Sequence, residues 1–155
     1  MAQFISAILD SDANHYRYAG NNAFRLESTW TFVASTTGAV AAHTLFTVTD
    51  NCLVQVFGIC DTDITGSGTG EVGVAGNTAA LIAQTTGTAI DDGEIWIDAT
   101  PGTGVEGLPG TFILNDGTDI LLTIATDTWT AGKIDFYCIW RPLNENANIT
   151  VTTAA

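Results

Sequence analysis

At 155 residues the chain is long enough for one domain with a sizeable core. Charged residues make up only 14% of it, against roughly 25% in an average soluble domain, and the threonine and glycine that replace them favour strands and tight turns over helices. Seventeen acids against four bases leave a net charge of −13, which excludes free nucleic acid and anionic membrane as partners, since both need clustered Lys and Arg.

Partners should instead be neutral, basic or cationic. Sparse charge suits an isolated monomer poorly, so much of the surface is expected to face other subunits, a coat of threonine hydroxyls being the alternative. The opening "MAQFISAILD" lacks a basic n-region and is too short in its apolar run for a secretory signal. No run of about 18 apolar residues occurs anywhere, so no membrane span is expected, and the chain should be made and kept in a cytoplasm until it joins something larger. "SDANHYRYAGNN" follows, polar and turn-rich. Residues 1–28 thus read as an N-terminal arm or added strand, an ordinary first hairpin being the alternative. Phe4, Ile5, Arg17, Tyr18 and Arg25 are its candidate interface residues.

Residues 29–155 read as an all-β domain, an antiparallel β-sandwich of jelly-roll type. In "TWTFVAS" Trp30 and Phe32 share a face, and in "HTLFTVT" Phe46 and Val48 do. "CLVQVFGIC" places Leu53, Gln55, Phe57 and Ile59 on one side and Val54 and Val56 on the other, which predicts a central strand buried on both faces. "NTAALIAQT" is open between a short helix capped by Asn77 or Thr78 and a strand. "EIWID" sets Ile95 and Ile97 against Glu94, Trp96 and Asp98; "DILLTIATD" turns Ile120, Leu122 and Ile124 inward. "KIDFYCIWRP" sets Ile134, Phe136, Cys138 and Trp140 against Asp135, Tyr137 and Arg141. This alternation is that of strands, and Pro142 should end the last of them. Glycine-rich turns between the runs fit a sandwich or barrel. The tail "NENANITVTTAA" is either an edge strand or a loose end.

Motifs with chemical meaning are few. Gly68, Gly70 and Gly73 in "GSGTGEVGVAG" spell the dinucleotide fingerprint G-x-G-x-x-G, and Asp91 lies at a suitable distance downstream. However, "DTDIT" separates the preceding strand from the glycines, and Val72, Gly73, Val74 and Gly76 are poor helix material. The glycines read as a flexible hairpin loop rather than a phosphate cradle. "DTDITG" resembles the start of an EF-hand loop, but Val72 stands where the bidentate glutamate belongs. Asp61 and Asp63 are weak candidate calcium ligands, and Asp116 and Asp119 in "NDGTD" form a similar pair; turn building by Asp and Gly explains both. His15 and His43 are the only histidines and no G-x-S-x-G occurs, so no enzyme and no cofactor are expected. Cys52, Cys60 and Cys138 show neither C-x-x-C nor zinc spacing. Eight residues of strand would hold Cys52 and Cys60 about 26 Å apart, beyond disulfide reach, while Cys138 could meet one of them across strands; small buried apolar residues are the plainer reading. Trp96, beside Glu94 and Asp98, and Trp129, in "TDTWTAG", are candidate interface or sugar-binding aromatics, with core packing as the alternative.

From "LFTVTDNCLVQVFGICDTDIT" through "EVGVAGNTAALIAQTTGTAIDDGEIWIDATP" to "DILLTIATDTWTAGKIDFYCIWRPL" the chain resembles a family of small all-β proteins encoded among the head and structural genes of tailed bacteriophages. The resemblance covers roughly residues 43–143, and the N-terminal 42 residues depart from the short start of such proteins. It implies a virion component, a capsid cement or decoration protein on the outer capsid surface, assembled in the host cytoplasm. The partner it implies is the major capsid protein, and the state a homo-oligomer, trimers being common. It transfers no catalytic residues. The competing expectation is a tail- or fibre-associated carbohydrate-binding sandwich using Trp96 or Trp129 with Asp98 or Asp127.

Overall fold

The computed structural model describes residues 16–18 and 23–152. Phe4 and Ile5 lie outside the described residues. The chain forms β1 (Tyr16–Tyr18), β2 (Ala23–Thr31), a single helical turn α1 (Ala34–Thr37), β3 (Ala41–Thr49) and β4 (Cys52–Thr65). There follow β5 (Thr69–Val74), β6 (Asn77–Thr86), a 3₁₀ turn at Gly87–Ala89, β7 (Ile95–Trp96), β8 (Phe112–Leu114), β9 (Ile120–Ala125), β10 (Ala131–Pro142) and β11 (Asn148–Val151). Two antiparallel sheets result. A front sheet runs β1-β2-β10-β4-β7, with β8 also paired to β4, and a back sheet runs β11-β3-β9-β5-β6. From β2 to β5 and again from β8 to β11 every connection crosses from one sheet to the other, so neighbours in sequence are seldom neighbours in a sheet, as in a jelly roll.

The apolar alternation explains this packing. Inward residues of β10 (Ile134, Phe136, Cys138, Trp140) meet those of β9 (Ile120, Leu122, Ile124) across the sandwich interior. Burying such side chains from water contributes roughly 1.5–3 kcal/mol each. One end of the core is built of aromatics. The Trp30 ring meets Trp129 edge-on at 5.1 Å, and Trp96 lies 6.5 Å from Trp129 and 6.1 Å from Phe136. Trp30 Nε1 donates to the Thr37 carbonyl (3.1 Å) and Trp129 Nε1 to the Gly68 carbonyl (3.0 Å), so neither indole is left unsatisfied.

Several expectations change. The composition break at residue 28 falls inside β2, where Leu26 and Ser28 are buried, so it marks no boundary in the fold. "NTAALIAQT" is strand β6, held in a hairpin with β5, and the tail supplies the edge strand β11 against β3. In "EIWID" the core side is Trp96, while Ile95 and Ile97 face outward and half-buried. β4 is central but not covered on both sides: Cys52, Val54, Val56 and Cys60 are buried, and Leu53, Phe57 and Ile59 are half-exposed on the outer face.

The glycine fingerprint is explained by the tryptophans. Residues 69–74 are strand β5, not a flexible loop. A Cβ on Gly70 would lie 2.3 Å from Trp129 Cζ2, and one on Gly68 2.0 Å from the Asp127 carbonyl oxygen. Gly73 is as crowded by the Asn77 carbonyl of β6, at 2.3 Å. The spacing therefore records close backbone approach to a buried ring and to a neighbouring strand.

Candidate interaction surface

The outer face of the front sheet is read row by row from its register. Arg141, Leu53 and Ile113 form one row, and Arg25, Ile139 and Gln55 the next. Glu27, Tyr137 and Phe57 come third, followed by Thr29, Asp135, Ile59 and Ile95. The β4 side of this face is apolar and the β2 side polar. Phe57 and Tyr137 stack with centroids 5.2 Å apart, and the Arg25 guanidinium sits 5.4 Å from the Tyr137 centroid, a cation–π geometry. Burial raises the Tyr137 phenol pKa, with the Glu27 and Asp135 carboxylates adding to it. Beyond β7 the loop 97–111 is tied to this face by Gln55 Nε2, which donates to the Pro109 carbonyl (3.2 Å). It exposes Val105 (92%) and Leu108 (87%), and β8 beside it exposes Ile113 (71%). Scattered exposed aliphatics are ordinary, but a contiguous apolar patch marks an interaction site.

Charge is divided in the same way. All four bases, Arg17, Arg25, Lys133 and Arg141, lie on front-sheet strands, with the acids Glu27, Asp61, Asp63 and Asp135. The back-sheet strands carry Glu71 alone, its carboxylate accepting from Gln84 Nε2 (3.1 Å). The described loops carry Asp50, Asp91, Asp92, Glu94, Asp98, Glu106, Asp116, Asp119, Asp127 and Glu145, and no base. Charges thus balance on the front sheet and are wholly negative elsewhere among the described residues.

Of the residues singled out from sequence, Arg25 lies on this face, and Arg17 and Tyr18 lie on the edge strand β1, opposite Phe24 and Ala23. Trp96 and Trp129 do not: both are fully buried and cannot contact a sugar or a partner. Their flanking acids serve turns, Asp98 accepting from the Thr100 amide and hydroxyl and Asp127 from the Ser67 hydroxyl and the Thr128 amide. The Asp61 carboxylate takes the Lys133 ammonium (3.0 Å), which also reaches Asp135 (3.6 Å), and Asp63 accepts from the Asp92 amide (2.7 Å). Asp116 and Asp119 accept from the Asp50 and Val48 amides. Among the described residues no three His, Cys, Asp or Glu side chains are grouped to hold a metal ion. Leu53, Phe57, Ile59, Tyr137 and Ile139 are the face residues that sequence reading missed as a surface; their signal is the apolar outer side of β4.

The remaining nucleophile and base candidates are packed away. Cys138 stands opposite Val56 rather than another cysteine, and all three thiols are free and buried. Burial pushes Cys52 and Cys60 up to about 11 and Cys138 further still, which keeps them protonated and unreactive. His43 stands opposite Leu122 on the inward side of β3, with Nε2 buried and unpartnered. Burial lowers its pKa, more than the hydrogen bond to the Ala39 backbone raises it. The unfolded chain therefore binds the proton first as pH falls, and His43 withdraws stability below its unfolded value of about 6.5. Unfolding free energy measured in urea is expected to fall between about pH 7 and pH 5.5, with a shallower slope in His43→Gln. Equal slopes in the two proteins would show that His43 titrates normally in the fold.

Compared with protein-family models, curated proteins and solved structures, the chain matches none.

Proposed function

We propose that this protein is a structural component of a virion, a cement or decoration protein that binds the assembled head of a tailed phage and stabilises it. The observation that carries this reading is the outer face of the front sheet: aromatic and aliphatic on its β4 side, on a sheet whose strands carry as many bases as acids while the other described residues carry acids alone. A face of this kind fits protein, since interface cores are enriched in aromatic residues and Arg and depleted in net charge. The resemblance of residues 43–143 to phage head proteins supplies the kind of assembly. A protein that binds only the assembled shell shifts the equilibrium toward the shell by mass action.

The test is co-sedimentation. Purified protein is spun with assembled, DNA-free phage heads and, separately, with unassembled major capsid protein. Pelleting with heads and not with free subunits, together with a raised melting temperature of the heads, is the expected result. Phe57→Asp should reduce pelleting several-fold while leaving the circular dichroism spectrum unchanged, because Phe57 is outside the core. Protein that stays in the supernatant at saturating heads refutes the assignment.

A further inference from the structure

We infer that the chain's own N-terminal segment continues β1 along the open part of the β2 edge and seats Leu9 in an apolar cavity at the end of the sandwich. The fold would thus carry a docking site for its own first residues.

The cavity lies between the loop that follows β2 and the loop that precedes β10. Phe32, Ala34, Gly38, Ala39, Trp129 and the threonines on either side of it line a volume of about 190 Å³. An engineered apolar cavity of about 150 Å³ takes up benzene, so this one has room for an aliphatic side chain. Val33 and Val40, next in sequence to its lining residues, are 52% and 55% exposed and extend the apolar surface around it.

Strand register points to the occupant. β1 covers only three residues of β2, Tyr16 standing opposite Arg25, Arg17 opposite Phe24 and Tyr18 opposite Ala23. Residues 26–31 meet no strand on that side among the described residues, and an edge left open in this way invites pairing. Fifteen residues precede Tyr16. The short connection 19–22 holds β1 to the β2 of its own chain. Continued antiparallel in the same register, residues 10–15 run beside residues 31–26, and Leu9 arrives opposite Phe32, in the wall of the cavity.

The sequence alternates to match. Ser11, Ala13 and His15 fall beside Trp30, Ser28 and Leu26 on the buried side of β2, and Asp10, Asp12 and Asn14 fall beside Thr31, Thr29 and Glu27 on its outer side. Asp10 thereby joins the row of Lys133, which stands opposite Thr31. Asp12 joins the row of Asp135, but two strand spacings separate them, about 10 Å, beyond the Debye length of about 8 Å at physiological ionic strength. Leu9 keeps the inward phase. Before it, residues 4–8, "FISAI", are apolar over an extended length of about 16 Å, enough to cover Val33 and Val40.

Amide hydrogen exchange of the full chain, followed by nuclear magnetic resonance, tests this. In residues 26–31 the amides that face away from β10 should be protected, and tenfold dilution of the protein should leave that protection unchanged. Leu9→Asp should speed their exchange about tenfold or more, the loss expected for one buried aliphatic side chain. The amides of the same residues that face β10 should stay protected in that variant, which shows the fold intact. Leu9→Met, close in volume and apolar, should behave as wild type. Outward amides that exchange in the wild type as in an unfolded peptide overturn the inference, and so does protection that Leu9→Asp leaves untouched. Protection that falls on dilution overturns it too, since the segment on β2 would then belong to another copy.

Discussion

Replacing Trp129 with alanine is expected to cost about 4–5 kcal/mol of unfolding free energy, at the upper end of large-to-small core changes. Trp129 is fully buried, and its ring is shared by Trp30 edge-on and by Trp96. The gap could not close easily, because the residues around it on the strand side, Gly68, Gly70 and Gly87, have no side chains to move into it. The Gly68 carbonyl would also lose the Nε1 donor, and a buried acceptor left unpaired costs about 1–3 kcal/mol. Two backbone bonds would survive, Trp129 N–H to Gly38 and Thr130 N–H to Thr65, so the β9–β10 connection should keep its path. Domains of this size commonly have only about 5–15 kcal/mol in total, so the variant should be marginal at room temperature. Trp129→Phe, which keeps a ring and loses the donor, should fall between the two. Urea unfolding followed by far-ultraviolet circular dichroism measures all three proteins. A loss below about 1 kcal/mol for the alanine variant would mean an exposed indole, and would reopen Trp129 as a binding aromatic.

That alternative shows where sequence reading stops. The period of β9 and β10 is plain in the chain, and the structure buries the inward residues it predicts. Period alone does not say which side of a strand meets the core. "EIWID" has two isoleucines on one side and a tryptophan between two acids on the other; the acids lie in turns beyond the two paired residues of β7, so they do not mark Trp96 as exposed. β4 presents the same difficulty. A strand apolar on both sides reads as buried on both, yet an apolar outer face kept for another protein has the same sequence. Leu53, Phe57 and Ile59 were therefore visible as hydrophobic and invisible as surface. Their neighbours on that face, Tyr137 and Ile139, come from a strand some 80 residues later, and only the register of β4 with β10 brings them together. The acids of "NDGTD" were more legible: Asp116 and Asp119 hold backbone amides, as Asp in tight turns does, whereas Asp61 and Asp63 lie on strand β4 and hold Lys133 and the Asp92 amide.

Gly70→Ala should be strongly damaging for so small a change, and the glycine fingerprint can be settled with it. In a nucleotide-binding loop such a change would act on ligand affinity and leave stability nearly intact. Here the added methyl would meet Trp129 Cζ2 at 2.3 Å and Cη2 at 2.5 Å, with Trp96 Cη2 at 3.2 Å behind them. All are atoms of rigid rings already in contact with one another, so none can swing aside as the end of a flexible chain could. Overpacking of this kind costs about 1–3 kcal/mol, and more where nothing can yield; about 3 kcal/mol is expected. The two clashing atoms belong to the six-membered part of the indole, which phenylalanine at position 129 would shorten. Gly70→Ala should therefore cost clearly less in a Trp129→Phe background than in the wild type. The coupling between the two changes should exceed about 1 kcal/mol, well above the few tenths seen for independent sites. Additive losses would mean that Gly70 is glycine for a reason other than the ring, and would detach the G-x-G-x-x-G spacing from the tryptophan cluster. Strong coupling would make the spacing a packing signature, in which a residue nearly sixty positions downstream dictates where β5 can carry no side chain.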